Sequence, residues 1–264
     1  MASVVHIFCS DTARTGKTLL ARVFADLSSL RREGNPIIFD TDISGNGIIN
    51  YFPEKTSLID LSMVADQVRM FDTIMQLHDP NGPNPNGPSV NKGPGAGKKN
   101  NQSGVINSAA GSDFVVDVAA SDLGRFFEMF NDIGFERGAA EARLDVRIYY
   151  LVNWSLKSLQ RTEQIRSLLK SSDFFAVRNM GIQAFSFTPA PHEADLVPEI
   201  DISLFLKALS PSVFGLVNDK EFSFARFASG EYTEIKTRAN REIWNFLEGI
   251  YNQTSLPARG SVTS

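Results

Sequence analysis

The sequence predicts an α/β domain whose mostly parallel β-sheet is covered by helices on both faces. Apolar segments of strand length alternate along the chain with longer segments of helical periodicity, which is the order found in parallel sheets. The strand segments are apolar at almost every position, as expected when both faces of a sheet are buried. A chain of 264 residues, 42% of them hydrophobic, is long enough to form one such domain with a sizeable core.

The predicted elements follow one another in regular order. Strands are predicted at residues 4–8, 36–40, 114–117, 147–153 and 183–188, and helices at residues 16–32, 58–77, 124–133, 159–169 and 237–251. The last helix places Ile243, Trp244, Phe246, Leu247 and Ile250 on one face. We therefore expect this helix to dock on the core of the domain.

One segment interrupts the single domain that we assign to residues 1–254. In residues 79–112, glycine, asparagine and proline supply 19 of the 34 positions, which leaves too little apolar surface to offset the entropy lost on ordering. We expect this insertion to be a flexible surface loop. Residues 255–264 are expected to form a disordered tail.

The end of the first predicted strand carries a motif for binding phosphate. The segment Thr15-Gly16-Lys17-Thr18 stands between this strand and the first helix, where backbone N–H groups and the helix N-terminus favour an anion. Lys17 would reach the β- and γ-phosphates, and the Thr18 hydroxyl would coordinate Mg²⁺. Without nucleotide, we expect the Lys17 side chain to face solvent. In the common spacing G-x-x-x-x-G-K-[ST] the first glycine would stand at Asp11, so the motif is atypical.

Two further strand ends carry acidic residues. The second strand runs into the segment Asp40-Thr41-Asp42-Ile43-Ser44-Gly45-Asn46, and the third strand ends at Asp117. Together with the first loop, these motifs resemble the partition and division-site ATPases of the ParA/MinD class, in which an Asp-x-Asp-x-x-Gly-Asn motif follows an atypical phosphate loop. The resemblance covers about residues 1–160. It implies a P-loop NTPase fold that binds ATP and Mg²⁺ and hydrolyses ATP.

The resemblance also implies roles for individual residues. Lys17 and Asp42 would be catalytic, with Asp42 positioning the attacking water. Mg²⁺ would be held by Thr18, Asp40 and Asp117. The residues expected around the nucleotide are Asp11, Thr12, Ala13, Arg14, Thr15, Gly16, Lys17, Thr18, Leu19 and, at the end of the fourth strand, the adenine-contacting Asn153.

Two of these assignments have competitors in the sequence. Asp113 and Asp122 lie close enough along the chain to replace Asp117 as the metal-side acid, and Asn153 could be an ordinary turn residue. A guanine-specific protein would be expected to carry Asn-Lys-x-Asp at residues 153–156, which this chain does not, so ATP is favoured over GTP.

The phosphate loop departs from the ParA/MinD pattern at its start. Thr12 stands in place of the family's signature lysine, which reaches the partner's phosphates across a dimer interface. Arg14 could supply a substitute cation, or its side chain could simply be solvated. The loop is also similar to that of dethiobiotin synthetases, which likewise lack the first glycine.

Different functions therefore remain open. In the first, the chain is a molecular switch that forms an ATP-dependent homodimer and is released from its partner by slow hydrolysis. In the second, it is a biosynthetic enzyme of the dethiobiotin-synthetase type, and a nucleotide-binding protein without turnover is a third possibility. The sequence favours the switch, because Gly45 and Asn46 follow Asp42 as in the ParA/MinD motif.

The expected partners of a switch are DNA or a DNA-bound protein. The net charge of −4 gives no overall attraction to nucleic acid, so binding would need a local patch. Lys157, Arg161, Arg166 and Lys170 are spaced to share part of one helix surface, which could supply such a patch or could simply be a solvated face. Membrane association is not expected, since no apolar run approaches a membrane span. The single cysteine, Cys9, excludes an internal disulfide, and with no secretion signal recognised it predicts a cytoplasmic location.

Overall fold

The computed structural model describes residues 3–31, 35–78, 112–153, 155–182 and 200–254. Within these ranges one sheet contains seven strands in the order β3-β2-β4-β1-β5-β6-β7, and all neighbouring strands are parallel. The strands are β1 (Val4–Cys9), β2 (Ile37–Asp40), β3 (Thr56–Leu58), β4 (Phe114–Asp117), β5 (Asp145–Leu151), β6 (Asp173–Asn179) and β7 (Leu204–Leu206). The prediction of a parallel sheet is confirmed.

Helices cover both faces of this sheet. They are α1 (Lys17–Arg31), α2 (Val64–His78), α3 (Leu123–Asp132), α4 (Phe135–Glu141), α5 (Leu156–Leu168), α6 (Pro211–Val217), α7 (Phe224–Ala228) and α8 (Thr237–Tyr251). Two single 3₁₀ turns, Ile48–Asn50 and Ala120–Asp122, follow β2 and β4 at the carboxyl edge of the sheet.

The core is divided by the sheet into two apolar layers. On β1, Val5, Ile7 and Cys9 belong to the layer covered by α2, α3, α4 and α5, whereas Phe8 belongs to the layer covered by α1, α6, α7 and α8. Ile7, Phe8 and Cys9 are thus apolar at successive positions because each face of this central strand meets a different helical layer. Burial raises the pKa of the Cys9 thiol, which behaves as a small core residue.

The C-terminal helix has the bounds that its periodicity predicts, 237–251. Its buried face includes Ile243, Phe246, Leu247 and Ile250, which pack in the second layer. Docking on the core, as expected from the sequence, is therefore confirmed. In the described part of the chain, no helix combines the length and the apolar character needed to cross a membrane.

Other elements differ from the prediction. The helix predicted at 58–77 begins only at Val64, because Leu58 belongs to β3, a three-residue edge strand. Strands β3, β6 and β7 and helices α4, α6 and α7 were not predicted, since each is short or has polar ends that blur its periodicity.

Several predicted segments lie outside the described residues. These are the strand at 183–188, residues 79–111 of the predicted insertion and the tail at 255–264. The last residue of the predicted insertion, Ser112, is described, and it is buried directly before β4.

Candidate functional site

The topology of the sheet opens a crevice beside its central strand. The connection that leaves β1 runs toward β2 on one side, and the connection that leaves the neighbouring β5 runs toward β6 on the other. Connections that diverge in this way leave a gap at the carboxyl ends of the strands, which is the usual ligand site of open α/β sheets. The loop between β1 and α1 lies here, and a cavity of about 1000 Å³ opens beside it.

The backbone of this loop is held against β6. Asn179 ends β6 and donates a hydrogen bond from Nδ2 to the Thr15 carbonyl oxygen at 3.0 Å. Gly16 has a φ of 90°, and a Cβ on this residue would overlap the Asn179 side-chain amide. A glycine is required here for both its backbone conformation and its lack of a side chain.

Arg14 also has a left-handed backbone, with a φ of 62°. This conformation is strained for a residue with a side chain, by about 1 kcal/mol. Arg14 is exposed and lines the large cavity. Arg14 therefore combines a strained backbone with an exposed position on the cavity wall.

The first residues of α1 contact the end of β4. Lys17 Nζ forms an ion pair with Asp117 Oδ1, and Thr18 Oγ1 donates a hydrogen bond to Asp117 Oδ2 at 2.9 Å. Asp117 is fully buried, and only 12% of the Lys17 side chain is exposed. The expectation of a solvent-facing Lys17 is wrong, because a carboxylate buried on the neighbouring strand draws the ammonium inward.

Asp40 lies next to Asp117 in the register of the sheet and is also fully buried. Its two carboxylate oxygens accept hydrogen bonds from the N–H groups of Asp42, at 2.9 Å, and Ile49, at 3.1 Å. Burial and the neighbouring Asp117 carboxylate raise the pKa of Asp40 to about 6 from its ordinary value of 3.8. Asp40 therefore fixes the loop that follows β2, at an electrostatic penalty when ionised.

This raised pKa predicts a pH-dependent stability. Between pH 4 and pH 6 the folded protein holds a proton on Asp40 that the unfolded chain has released, so the free energy of unfolding should fall as the pH rises through this window. The expected decrease is up to about 3 kcal/mol. Urea denaturation at pH 4, 5 and 6 measures it. Asp40→Asn should lack this part of the pH dependence, and equal slopes in the two proteins would contradict the assignment.

Close packing beside Asp40 predicts a second stability effect. A Cβ on Gly47 would overlap both carboxylate oxygens of Asp40, whereas a Cβ on Gly45 would meet open space. Gly47→Ala should lower the free energy of unfolding by about 3 kcal/mol through overpacking. Gly45 has a φ of 75°, so Gly45→Ala is the matched control and should lower it by only about 1 kcal/mol. Equal losses in denaturant titrations would show that the contact with Asp40 is unimportant.

Asp42 faces the large cavity from the same loop. Its Oδ1 accepts hydrogen bonds from the N–H group, at 3.0 Å, and the hydroxyl of Ser44. Asp60 makes the same pair of bonds with Ser62, at 2.8 and 2.6 Å, at the end of the neighbouring strand. The same kind of turn therefore occurs in both loops. Asp42 differs from Asp60 in that it lines the large cavity.

The structure brings most of the predicted nucleotide-binding residues together. Residues 12–19 line the large cavity together with Asp42. Asp11 lies beside them, where its carboxylate accepts a hydrogen bond from Ser158 Oγ at 2.7 Å. Asn153 lines an adjoining cavity of about 80 Å³ whose wall also includes residues 12–15 of the loop, and its Nδ2 donates a hydrogen bond to Thr12 Oγ1 at 3.4 Å.

The competing acids occupy different places. Asp113 accepts a hydrogen bond from the Val4 N–H group at 3.1 Å, at the amino ends of β1 and β4 and thus at the edge of the sheet opposite the cavity. Asp122 lies at the carboxyl edge, in the 3₁₀ turn after β4. Of the three acids, only Asp117 contacts both Lys17 and Thr18.

The residues on the side of the cavity away from the β1–α1 loop, which we call the far wall, were not predicted from the sequence. The far wall is formed by residues at the ends of β6 and β7, by α6 and by a tyrosine after β2: Asn179, Lys207, Phe214, Asn218 and Tyr51. Asn179 carried a weak signal, since an asparagine at the end of an apolar segment is a candidate for a strand-end contact. Within the described ranges, no cluster of three or more His, Cys, Asp or Glu residues is arranged to hold a metal ion.

Comparisons with known protein families, curated proteins and solved structures gave no match. The protein is therefore classified from its own fold and candidate site. In the described residues it is an α/β protein with a fully parallel seven-stranded sheet and a large crevice at the carboxyl ends of the central strands.

Proposed function

We propose that this protein is a P-loop ATPase that acts as a molecular switch of the ParA/MinD type. The observation that supports this most strongly is the joint contact of Lys17 and Thr18 with the buried Asp117, at the end of the strand adjacent to the loop. An ammonium, a hydroxyl and a carboxylate meet here beside a cavity of about 1000 Å³, the upper end of the usual range for ligand sites.

The residues present fit a magnesium nucleotide. Mg²⁺ is commonly held in proteins by one or two side-chain oxygens together with water and substrate phosphates, and Thr18 and Asp117 supply such oxygens. Asp40 would not contact the ion directly, because both of its carboxylate oxygens already accept hydrogen bonds from backbone N–H groups. It would act through Asp117, its neighbour in the sheet. The ion supplies charge neutralisation of the phosphates. On binding, Lys17 would exchange its contact with Asp117 for the β- and γ-phosphates, while backbone N–H groups of the loop donate to the same oxygens.

The remaining roles follow from positions on the cavity wall. Asp42 would accept a proton from, or orient, the water that attacks the γ-phosphate. The base would lie toward the far wall, where Phe214 offers an exposed ring and Asn179 an amide. Asn179 joins Asn153 as a candidate contact to the base, because both line the adjoining cavity of about 80 Å³ and Asn179 also lines the large one.

The proposal as a switch is tested by the assembly state. A switch should be largely monomeric without nucleotide and dimeric with a non-hydrolysable ATP analogue, because each γ-phosphate would lie at the closing interface and favour closure only when present. Light scattering with and without the analogue measures this. A dethiobiotin-synthetase-like enzyme would show the same assembly state in both cases, with hydrolysis that waits for a small co-substrate, and a protein without turnover would release no phosphate.

Arg14 provides a matched pair of variants for this experiment. If its guanidinium replaces the missing lysine at Thr12, Arg14→Ala should lower dimerisation more than it lowers ATP binding. Arg143 has a similarly strained backbone, with a φ of 59°, so Arg143→Ala controls for the truncation of an arginine at a strained position. Equal behaviour of the two variants would remove Arg14 from the interface.

The partner of the switch is proposed to be DNA or a DNA-bound protein in the cytoplasm. The basic residues that support this lie on α5 and just after it, where Lys157, Arg166 and Lys170 are exposed. A net charge of −4 limits the attraction to this local surface.

A further inference from the structure

The far wall of the cavity is bonded to the loop that carries Asp42. Tyr51 Oη donates a hydrogen bond to Asn218 Oδ1 at 2.9 Å, and Lys220 Nζ donates one to Asn50 Oδ1 at 3.1 Å. Asn50 and Tyr51 lie in the connection between β2 and β3, which also contains Asp42, whereas Asn218 and Lys220 follow α6 directly. These bonds join parts of the chain that are about 170 residues apart.

The connection continues through the loop to Asp42. Asn50 donates a hydrogen bond from its side-chain amide to the Gly45 carbonyl oxygen. At the start of the loop, Asp40 holds the N–H groups of Ile49 and Asp42 on its two oxygens. The segment from Asp42 to Tyr51 is thus held at both ends and across its middle, and a displacement at Tyr51 acts on the whole loop.

Arg22 of α1 packs against the hydrogen-bonded pair of Tyr51 and Asn218, which we call the junction. Its guanidinium carbon lies 3.5 Å from the centroid of the Tyr51 ring, and its Nη2 donates a hydrogen bond to the Phe222 carbonyl oxygen at 3.0 Å. Arg22 is 1% exposed. A buried cation stacked on the ring fixes Tyr51 against α1, so that its hydroxyl points to Asn218.

We propose that Tyr51 and Asn218 are positioning residues that couple the α6 wall of the cavity to the loop that holds Asp42. Tyr51, Asn218 and Phe214 all line the cavity, so the hydrogen bond between Tyr51 and Asn218 lies in the wall of the proposed ligand site. Helix α6 is only seven residues long, and its shift would reach the loop through the bond between Tyr51 and Asn218. The consequence for hydrolysis rests on the proposed function, whereas the mechanical link does not.

The test compares two tyrosines whose hydroxyl groups form hydrogen bonds with residues of the same α6–α7 connection, residues 218–223. Tyr51→Phe removes the bond to Asn218 and keeps the ring on Arg22. Tyr232→Phe is the matched control, because the Tyr232 hydroxyl accepts a hydrogen bond from the Ser223 N–H group at 3.0 Å and donates one to the Glu221 carbonyl oxygen at 3.1 Å, without contacting the Asp42 loop. Asn218→Ala should resemble Tyr51→Phe, and Asn218→Asp should restore the acceptor.

Hydrogen–deuterium exchange of residues 41–50, measured without nucleotide, is the first readout. Exchange should rise about 5-fold in Tyr51→Phe and Asn218→Ala, in line with the loss of one hydrogen bond, and should stay at the wild-type rate in Tyr232→Phe and Asn218→Asp. Unchanged exchange in Tyr51→Phe, or the same increase in Tyr232→Phe, would overturn the link.

Phosphate release is the second readout. Tyr51→Phe should lower the kcat for ATP about 5-fold and leave KM within about 2-fold, because a displaced Asp42 affects the attack of water more than nucleotide binding. Equal loss in kcat for Tyr232→Phe would show that the connection merely stabilises the fold. Failure of wild-type protein to bind ATP would instead overturn the proposed function, while the exchange experiment still decides the link.

Discussion

Replacing Lys17 by alanine is expected to weaken Mg·ATP binding by about 100-fold or more. The ammonium is the side-chain cation that the structure places at the start of α1, beside the cavity, and removing one partner of a desolvated charge pair commonly costs 2–5 kcal/mol, on the order of 100-fold in affinity. Isothermal titration calorimetry on the folded variant measures this effect. Wild-type affinity in Lys17→Ala would remove the assignment of residues 11–19 as a phosphate loop.

The same substitution should also destabilise the protein without ligand. Lys17→Ala leaves the Asp117 carboxylate buried without its ammonium partner, which should lower the free energy of unfolding by about 3 kcal/mol. The double variant Lys17→Ala with Asp117→Asn removes the buried charge and should recover most of this loss. Because it should not recover ATP affinity, the double variant separates binding from stability.

Replacing Asp42 by alanine is expected to lower ATP turnover about 100-fold while ATP affinity stays close to that of the wild type. The reason is that the proposed role of Asp42 is to position water, and a positioned general base typically contributes 10²-fold or more, about 100-fold at the low end. Phosphate release under single-turnover conditions, together with calorimetry, measures both quantities. The variant should accumulate in the ATP-bound form.

Asp60→Ala is the control for this prediction. Asp60 makes the same turn with Ser62 that Asp42 makes with Ser44, so both variants lose equivalent hydrogen bonds. Only Asp42 lines the cavity, and only its loss should reduce turnover. If both variants turned over ATP at similar reduced rates, the effect would come from the loops, and the role in positioning water would pass to another acid such as Asp122.

Local pattern was sufficient for much of the fold. Alternating apolar and amphipathic segments predicted β1, β2, β4, β5 and the parallel sheet, because each buried strand shows its burial in its own few residues. The bounds of α8 followed from its apolar face alone. Short edge elements such as β3 were missed, since three partly exposed residues carry no periodicity.

Those residues of the site that belong to short sequence motifs were predicted. Gly16, Lys17 and Thr18 stand at one strand end, and Asp40, Asp42 and Asp117 at two others, and a parallel sheet brings such ends to one edge. The sequence alone thus predicted that these six residues gather at the crevice. It left their mutual contacts open, including the ion pair between Lys17 and Asp117, which lie 100 positions apart.

Only the tertiary structure shows which residues form the far wall of the cavity and why the pKa of Asp40 is raised. Asn179 meets Thr15 across 164 positions, and Tyr51 meets Asn218 across 167, so neither contact has a local signal. The raised pKa of Asp40 likewise arises from burial and from the register that sets it beside Asp117. Hydrophobic periodicity reports whether a segment is buried, whereas the partners of a polar side chain depend on the order of the strands, which is a property of the whole sheet.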